Sequence, residues 1–119
     1  MNTIKIGLFG FGTVGQGIYH VLGQAKNAHA EIKRICVRDL SKPRSAAVPS
    51  VLFTNKAEDI LDDPDINLIV EVIDNPEAAY DIVTTALRRG IDVVSGNKTM
   101  LARHLPELID LQRRHNAAL

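Results

Sequence analysis

Short apolar runs and longer stripes of helical period take turns along the 119-residue chain, the pattern of strands alternating with helices. The first run, Thr3–Phe9, predicts a strand. After it Val14, Ile18, Val21, Leu22 and Ala25 recur at helical spacing, a stripe meant for one face of a sheet. Glu31–Arg38, with Ile32, Ile35, Cys36 and Val37 apolar, predicts a second strand, and Val51–Thr54 a short third one. Asp39–Ser50 between them is a polar loop bearing Pro43 and Pro49. Ala57–Leu61 reads as a short helix that ends before Asp62-Asp63-Pro64.

Asn67–Ile73 is almost continuously apolar, as expected of a central strand covered on both faces. Asn75-Pro76-Glu77 then supplies an N-cap, a proline at the first helical position and an acid in the first turn. The helix it opens carries Ala79, Ile82, Val83, Ala86 and Leu87, and Gly90 stops it. Ile91–Ser95 predicts a fifth strand, Gly96-Asn97-Lys98-Thr99 a turn into Met100–Ala102, and a last helix runs from roughly His104 to the end. Arg113-Arg114-His115 favour a helix C-terminus, yet no glycine stop follows, and the chain reads as cut before a natural boundary.

The alternation predicts one α/β domain over residues 1–119, a doubly wound parallel sheet of about five strands ordered 3-2-1-4-5 between two helical layers. With 14 basic and 14 acidic side chains, no net field gathers nucleic acid or an anionic membrane. Two Tyr and three Phe are too few and too scattered for a base-stacking surface. The single Cys36 reads as a small core residue in a reducing compartment. Lys5 and the glycines after Phe9 interrupt any N-terminal apolar stretch, and no run approaches the ~18 residues of a membrane span, so a cytoplasmic location is expected. His20, His29, His104 and His115 have no ligand spacing, so no metal is expected, and Ser95 lacks the partners of a nucleophile.

Candidate chemistry concentrates where the first strand meets Gly10-Phe11-Gly12-Thr13-Val14-Gly15, a G-x-G-x-x-G that opens a helix. Gly10 allows a sharp turn off the strand, Gly12 leaves room for a pyrophosphate against the backbone, and Gly15 lets the helix pack closely. The free N–H groups of the first helical turn, from Phe11 to Val14, then face the phosphates of a dinucleotide. At the end of the second strand stand Arg38 and Asp39, with Lys42 and Arg44 close behind. An acid there hydrogen-bonds the ribose 2′-hydroxyl of NAD, whereas an arginine accepts the 2′-phosphate of NADP. The basic cluster favours NADP over NAD; a solvated basic loop is the plainer reading of the same residues. Asp74 and Asn75 after the fourth strand and Lys98 after the fifth lie on the rim where doubly wound sheets bind ligands. Helix capping and a surface lysine are the alternatives there.

These residues together resemble the N-terminal domain of homoserine dehydrogenase. The family's strand and G-x-G-T-V-G match Gly10–Gly15, its nucleotide-selecting segment resembles Val37–Arg44, and its fourth-strand signature resembles Val70-Glu71-Val72-Ile73. Its Thr-Ala-Asn-Lys motif is matched by Ser95-Gly96-Asn97-Lys98, followed by Thr99-Met100-Leu101-Ala102. The resemblance implies the Rossmann-type cofactor half of an NAD(P)-dependent oxidoreductase that interconverts homoserine and aspartate semialdehyde on the way to threonine and methionine. It implies cofactor contacts from Gly10, Phe11, Gly12, Thr13, Val14, Gly15, Arg38, Asp39, Lys42, Asp74, Asn75, Asn97 and Lys98, with Lys98 also reaching the active site. Two departures stand out: a glycine pair usual after the fourth strand is Asp74-Asn75, where left-handed turns are expected to be tolerated, and Gly96 replaces alanine, which should loosen the turn holding Lys98. In the family a second domain forms the homo-oligomer, binds the amino-acid substrate and supplies an acid and another lysine. None of it lies within this chain, so the expectation is cofactor binding without turnover. A non-enzymatic nucleotide-sensing module, or the cofactor half of a related amino-acid dehydrogenase, are the competing readings.

Overall fold

Ile4–Phe9 (β1) is the middle strand, and its side chains bury alternately on two faces: Ile6 and Leu8 toward one helical layer, Phe9 toward the other. The computed structural model describes residues 3–24, 29–44 and 47–119. Around β1 run α1 (Thr13–Gln24), β2 (Ala30–Cys36), β3 (Phe53–Thr54), α2 (Glu58–Leu61), β4 (Leu68–Glu71), α3 (Pro76–Arg88), β5 (Asp92–Ser95) and α4 (Lys98–His115). The five strands pair in parallel in the order β3-β2-β1-β4-β5, the order expected from the alternation. The β1–β2 ladder shifts register between Ile6 and Gly7, where β2 carries one extra residue.

Both faces of this parallel sheet are covered, which is why the run through β4 is almost continuously apolar. Ile69 and Val93 join Phe9 under α3 and α4, against Val83, Leu87, Met100 and Leu108. On the opposite face Ile6, Leu8, Ile35 and Val70 pack with Ile18, Tyr19 and Leu22 of α1. Asn75 caps α3 as expected, accepting the Ala78 N–H at 3.0 Å with Pro76 in the first turn.

Three expectations change. Val14 and Val21 of the α1 stripe are 60% and 62% exposed, and the face turned to the sheet is Gly15, Ile18, Tyr19 and Leu22. The helix is rotated so that a glycine meets the exit of β1, a position hydrophobicity does not mark; Ala25 of the same stripe lies outside the described residues. The last helix begins at Lys98 rather than near His104, because the Asn97 side chain accepts the Met100 N–H at 2.9 Å and caps it. Pro106, a residue that favours a first turn, therefore sits in the interior of α4, where its missing N–H is tolerated on an exposed face. The helix also stops: Asn116 adopts a left-handed conformation (φ 52°), and its N–H returns to the Gln112 carbonyl. Beyond it Ala117 is buried and Ala118 runs beside β5, accepting the Val93 N–H at 2.8 Å.

Candidate functional site

All segments singled out by sequence leave the sheet at its carboxyl edge: the glycine motif after β1, residues 38–44 after β2, Asp74-Asn75 after β4 and Asn97-Lys98 after β5. That edge is where doubly wound folds take their ligands. Gly10 turns the chain with φ 101°, and its N–H bonds the Cys36 carbonyl at 3.0 Å, tying the turn to the end of β2. A Cβ at Gly15 would stand 2.5 Å from the Gly10 carbonyl oxygen, so α1 can rise this close to the turn only without a side chain. Gly12 has no heavy atom within 4 Å of where its Cβ would be. Space is thus left open at the one motif position where a phosphate needs it.

Opposite Gly12 lies the loop after β2. A cavity of about 360 Å³ is lined by Phe11, Gly12 and Gln16 on one side and Lys42, Pro43 and Arg44 on the other. Arg44 is held in place: its guanidinium lies 5.0 Å above the Phe53 ring and Nη1 donates to the Lys42 carbonyl at 2.9 Å. Phe53 in turn meets Phe11 edge-on at 5.2 Å, and Phe11 meets Tyr19 at 6.1 Å. Three of the five aromatics, scattered in sequence, are gathered around Phe11, which lines the cavity.

Arg38 and Asp39 are exposed at the start of this loop and do not line the cavity. The Ser41 hydroxyl and backbone N–H both donate to Asp39 Oδ1, at 2.6 and 2.9 Å, and hold its carboxyl below the usual carboxylate range. Cys36, half buried at the end of β2, is pushed up to about 11 by burial and by nearby Asp59 and Glu58. Such a thiol is not a nucleophile near neutral pH.

The other rim stands apart from the cavity. Asp74, Asn75 and Lys98 are exposed, and the Lys98 ammonium has no hydrogen bond or ion pair among the described residues. Asn97 is buried; its Nδ2 donates to the Ile73 carbonyl at 3.0 Å, tying the β5 exit to the β4 exit. Lys98 is the first residue of α4, so its position follows from that cap.

The family model for the NAD binding domain of homoserine dehydrogenase matches residues 10–119. The chain belongs to this family. It is 36% identical over 118 residues to the homoserine dehydrogenase of Synechocystis and 35% identical over 116 to that of Bacillus subtilis, covering 95% and 92% of this chain. Among solved structures, the homoserine dehydrogenase of S. aureus at pH 7.0 superposes with a TM-score of 0.91 at 35% identity, over 100% of this chain and 32% of that one. The chain spans 27% of the length of both curated relatives.

Within this domain the two departures are resolved without left-handed turns. Asn75 has extended backbone (φ −80°, ψ 114°), and Asn116 is the only non-glycine residue of positive φ among those described. Asp74-Asn75 therefore replaces a glycine pair by capping α3. The Gly96 turn is not loose either: its N–H bonds the Glu71 carbonyl at 2.8 Å. Sequence reasoning passed over Gln16, which lines the cavity one turn after Gly12, and Phe53, which supports Arg44. Glu71 stands out in the sequence only as part of a strand signature, although its side chain is fully buried.

Proposed function

We propose that this chain binds NADP in preference to NAD and presents Lys98 to the active site of a homoserine dehydrogenase. The observation that carries the reading is the cavity between the open face of Gly12 and the basic loop bearing Lys42 and Arg44. The residues fit the group: N–H groups of Phe11 to Val14 at the start of α1 would hold the pyrophosphate, with Gly10, Gly12 and Gly15 shaping the turn. Arg38, with Lys42 beside it, would take the adenosine 2′-phosphate. Asp39 is exposed and its Oδ1 already accepts two bonds from Ser41, so the basic side chains around it carry the preference for NADP. When bound, the nicotinamide supplies hydride chemistry. Asp74, Asn75, Asn97 and Lys98 would border that end, Lys98 as an electrostatic anchor for cofactor or substrate.

On this reading the whole protein interconverts homoserine and aspartate semialdehyde, and the present chain binds cofactor without turnover. Hydride transfer needs the alcohol at about 3–3.5 Å from the nicotinamide and a base for its proton, and this rim offers one lysine. The test is calorimetric titration of Arg38→Ala, Lys42→Ala and wild-type chain with NADP and NAD. Arg38→Ala is expected to weaken NADP by about 1.5–3 kcal/mol with NAD little changed. Equal losses for both cofactors would refute the assignment.

A further inference from the structure

Glu71 is the last residue of β4, fully buried, with no cation paired to it among the described residues. A buried carboxyl is costly unless its oxygens are satisfied. Here both are: the Ile73 N–H donates to Oε2 at 2.9 Å and the Ser95 hydroxyl to Oε1 at 2.6 Å. The Ser95 oxygen accepts the Asn97 N–H at 3.2 Å, and Asn97 Nδ2 donates back to the Ile73 carbonyl at 3.0 Å. The polar ring Glu71–Ser95–Asn97–Ile73 is closed, and Asn97 Oδ1 carries it into the first turn of α4. The Gly96 N–H to the Glu71 carbonyl braces it from below.

An apolar residue at 71 would fill the same volume beside Phe9, its register partner on β1, without any buried charge or dipole to satisfy. What the carboxyl adds is geometry: it ties the loop leaving β4 to the loop leaving β5. The first carries Asp74-Asn75 and the second leads into Lys98, the first residue of α4. On the reading that the glycine motif and the basic loop after β2 take the pyrophosphate and adenosine, the nicotinamide half extends over β4 and β5. We infer that Glu71, acting through Ser95 and Asn97, is a positioning residue that sets the nicotinamide-side rim, Lys98 included. This rests on the dinucleotide reading above.

The experiment uses two probes on the whole chain: NADPH, and 2′-phospho-ADP-ribose, which lacks the nicotinamide. Ser95→Ala removes the hydroxyl relay, Ser95→Thr keeps it, and Glu71→Gln keeps the size of the buried side chain. Ser95→Ala and Glu71→Gln are expected to raise the Kd for NADPH about three- to tenfold, the effect of one hydrogen bond. The Kd for 2′-phospho-ADP-ribose should stay within about twofold, and Ser95→Thr should restore NADPH binding. A merely structural role would move both probes together. Equal weakening of both, or unchanged NADPH binding in folded Ser95→Ala, overturns the inference even if Glu71→Gln does not fold. Wild-type chain that binds neither probe overturns the dinucleotide reading itself, and this inference with it.

Discussion

Gly15 and Gly17 lie two residues apart in α1 and should respond oppositely to alanine. A Cβ at Gly17 meets nothing within 4 Å, whereas one at Gly15 would lie 2.5 Å from the Gly10 carbonyl oxygen and 3.6 Å from Val72 Cγ2. Alanine gains about 0.8–1 kcal/mol over glycine in a helix interior, and Gly17→Ala should show that gain. Gly15→Ala has the same propensity gain, but its methyl falls about 0.5 Å inside the 3.0 Å limit of real Cβ contacts, against backbone rather than a movable side chain. Overpacking of that kind costs about 1–3 kcal/mol. Because helix propensity cancels between the variants, their difference isolates the clash. At about 4 °C per kcal/mol for a chain of this size, Gly15→Ala should melt about 4–12 °C below Gly17→Ala. Thermal unfolding followed by far-ultraviolet circular dichroism measures this. Equal melting temperatures would refute the claim that the motif's last glycine is there for a close helix approach.

Gly96→Ala should stabilise the chain by about 0.4–1 kcal/mol, since the added methyl meets Val72 Cγ1 at 3.5 Å and the Glu71 carbonyl at 3.7 Å, ordinary contacts; denaturant unfolding that shows a loss would contradict it. Asn116→Ala should cost about 1 kcal/mol and Asn116→Gly nothing, because only the alanine is strained at φ 52°; the same unfolding assay separates them. Asp39 should titrate below the ordinary 3.9 or so, and Ser41→Ala should raise its midpoint, since the Ser41 hydroxyl is the largest cause of the shift. These bonds favour the charged form, so their contribution to loop order is fully present above the unfolded midpoint and is lost as pH falls through the folded one. Carboxyl chemical shifts against pH read both values.

Strand order and parallel pairing were legible because Leu68–Val70 is apolar on both faces and Asn75-Pro76-Glu77 announces α3 in three residues. Composition could not reveal how α1 is rotated, because the decisive contact is made by the absence of a side chain at Gly15. The start of α4 was obscured by Pro106, and its stop by an asparagine where a glycine is the usual sign. In the site, the glycine motif and the basic loop were both readable, but that Lys42 and Arg44 rather than Arg38 face Gly12 depends on Phe53, which arrives from a strand far along the chain. The Glu71 ring escaped because its members lie 24 residues apart and join only when β4 pairs with β5.

The central claim is that the open face of Gly12 and the basic loop opposite it form a dinucleotide site selective for the 2′-phosphate. Isothermal titration of the wild-type chain with NADP and with NAD under identical low-salt conditions tests it most directly. The account predicts saturable one-to-one binding of both, with NADP at least tenfold tighter, about 1.4 kcal/mol. No saturable binding of either, or NAD bound as tightly as NADP, would contradict it.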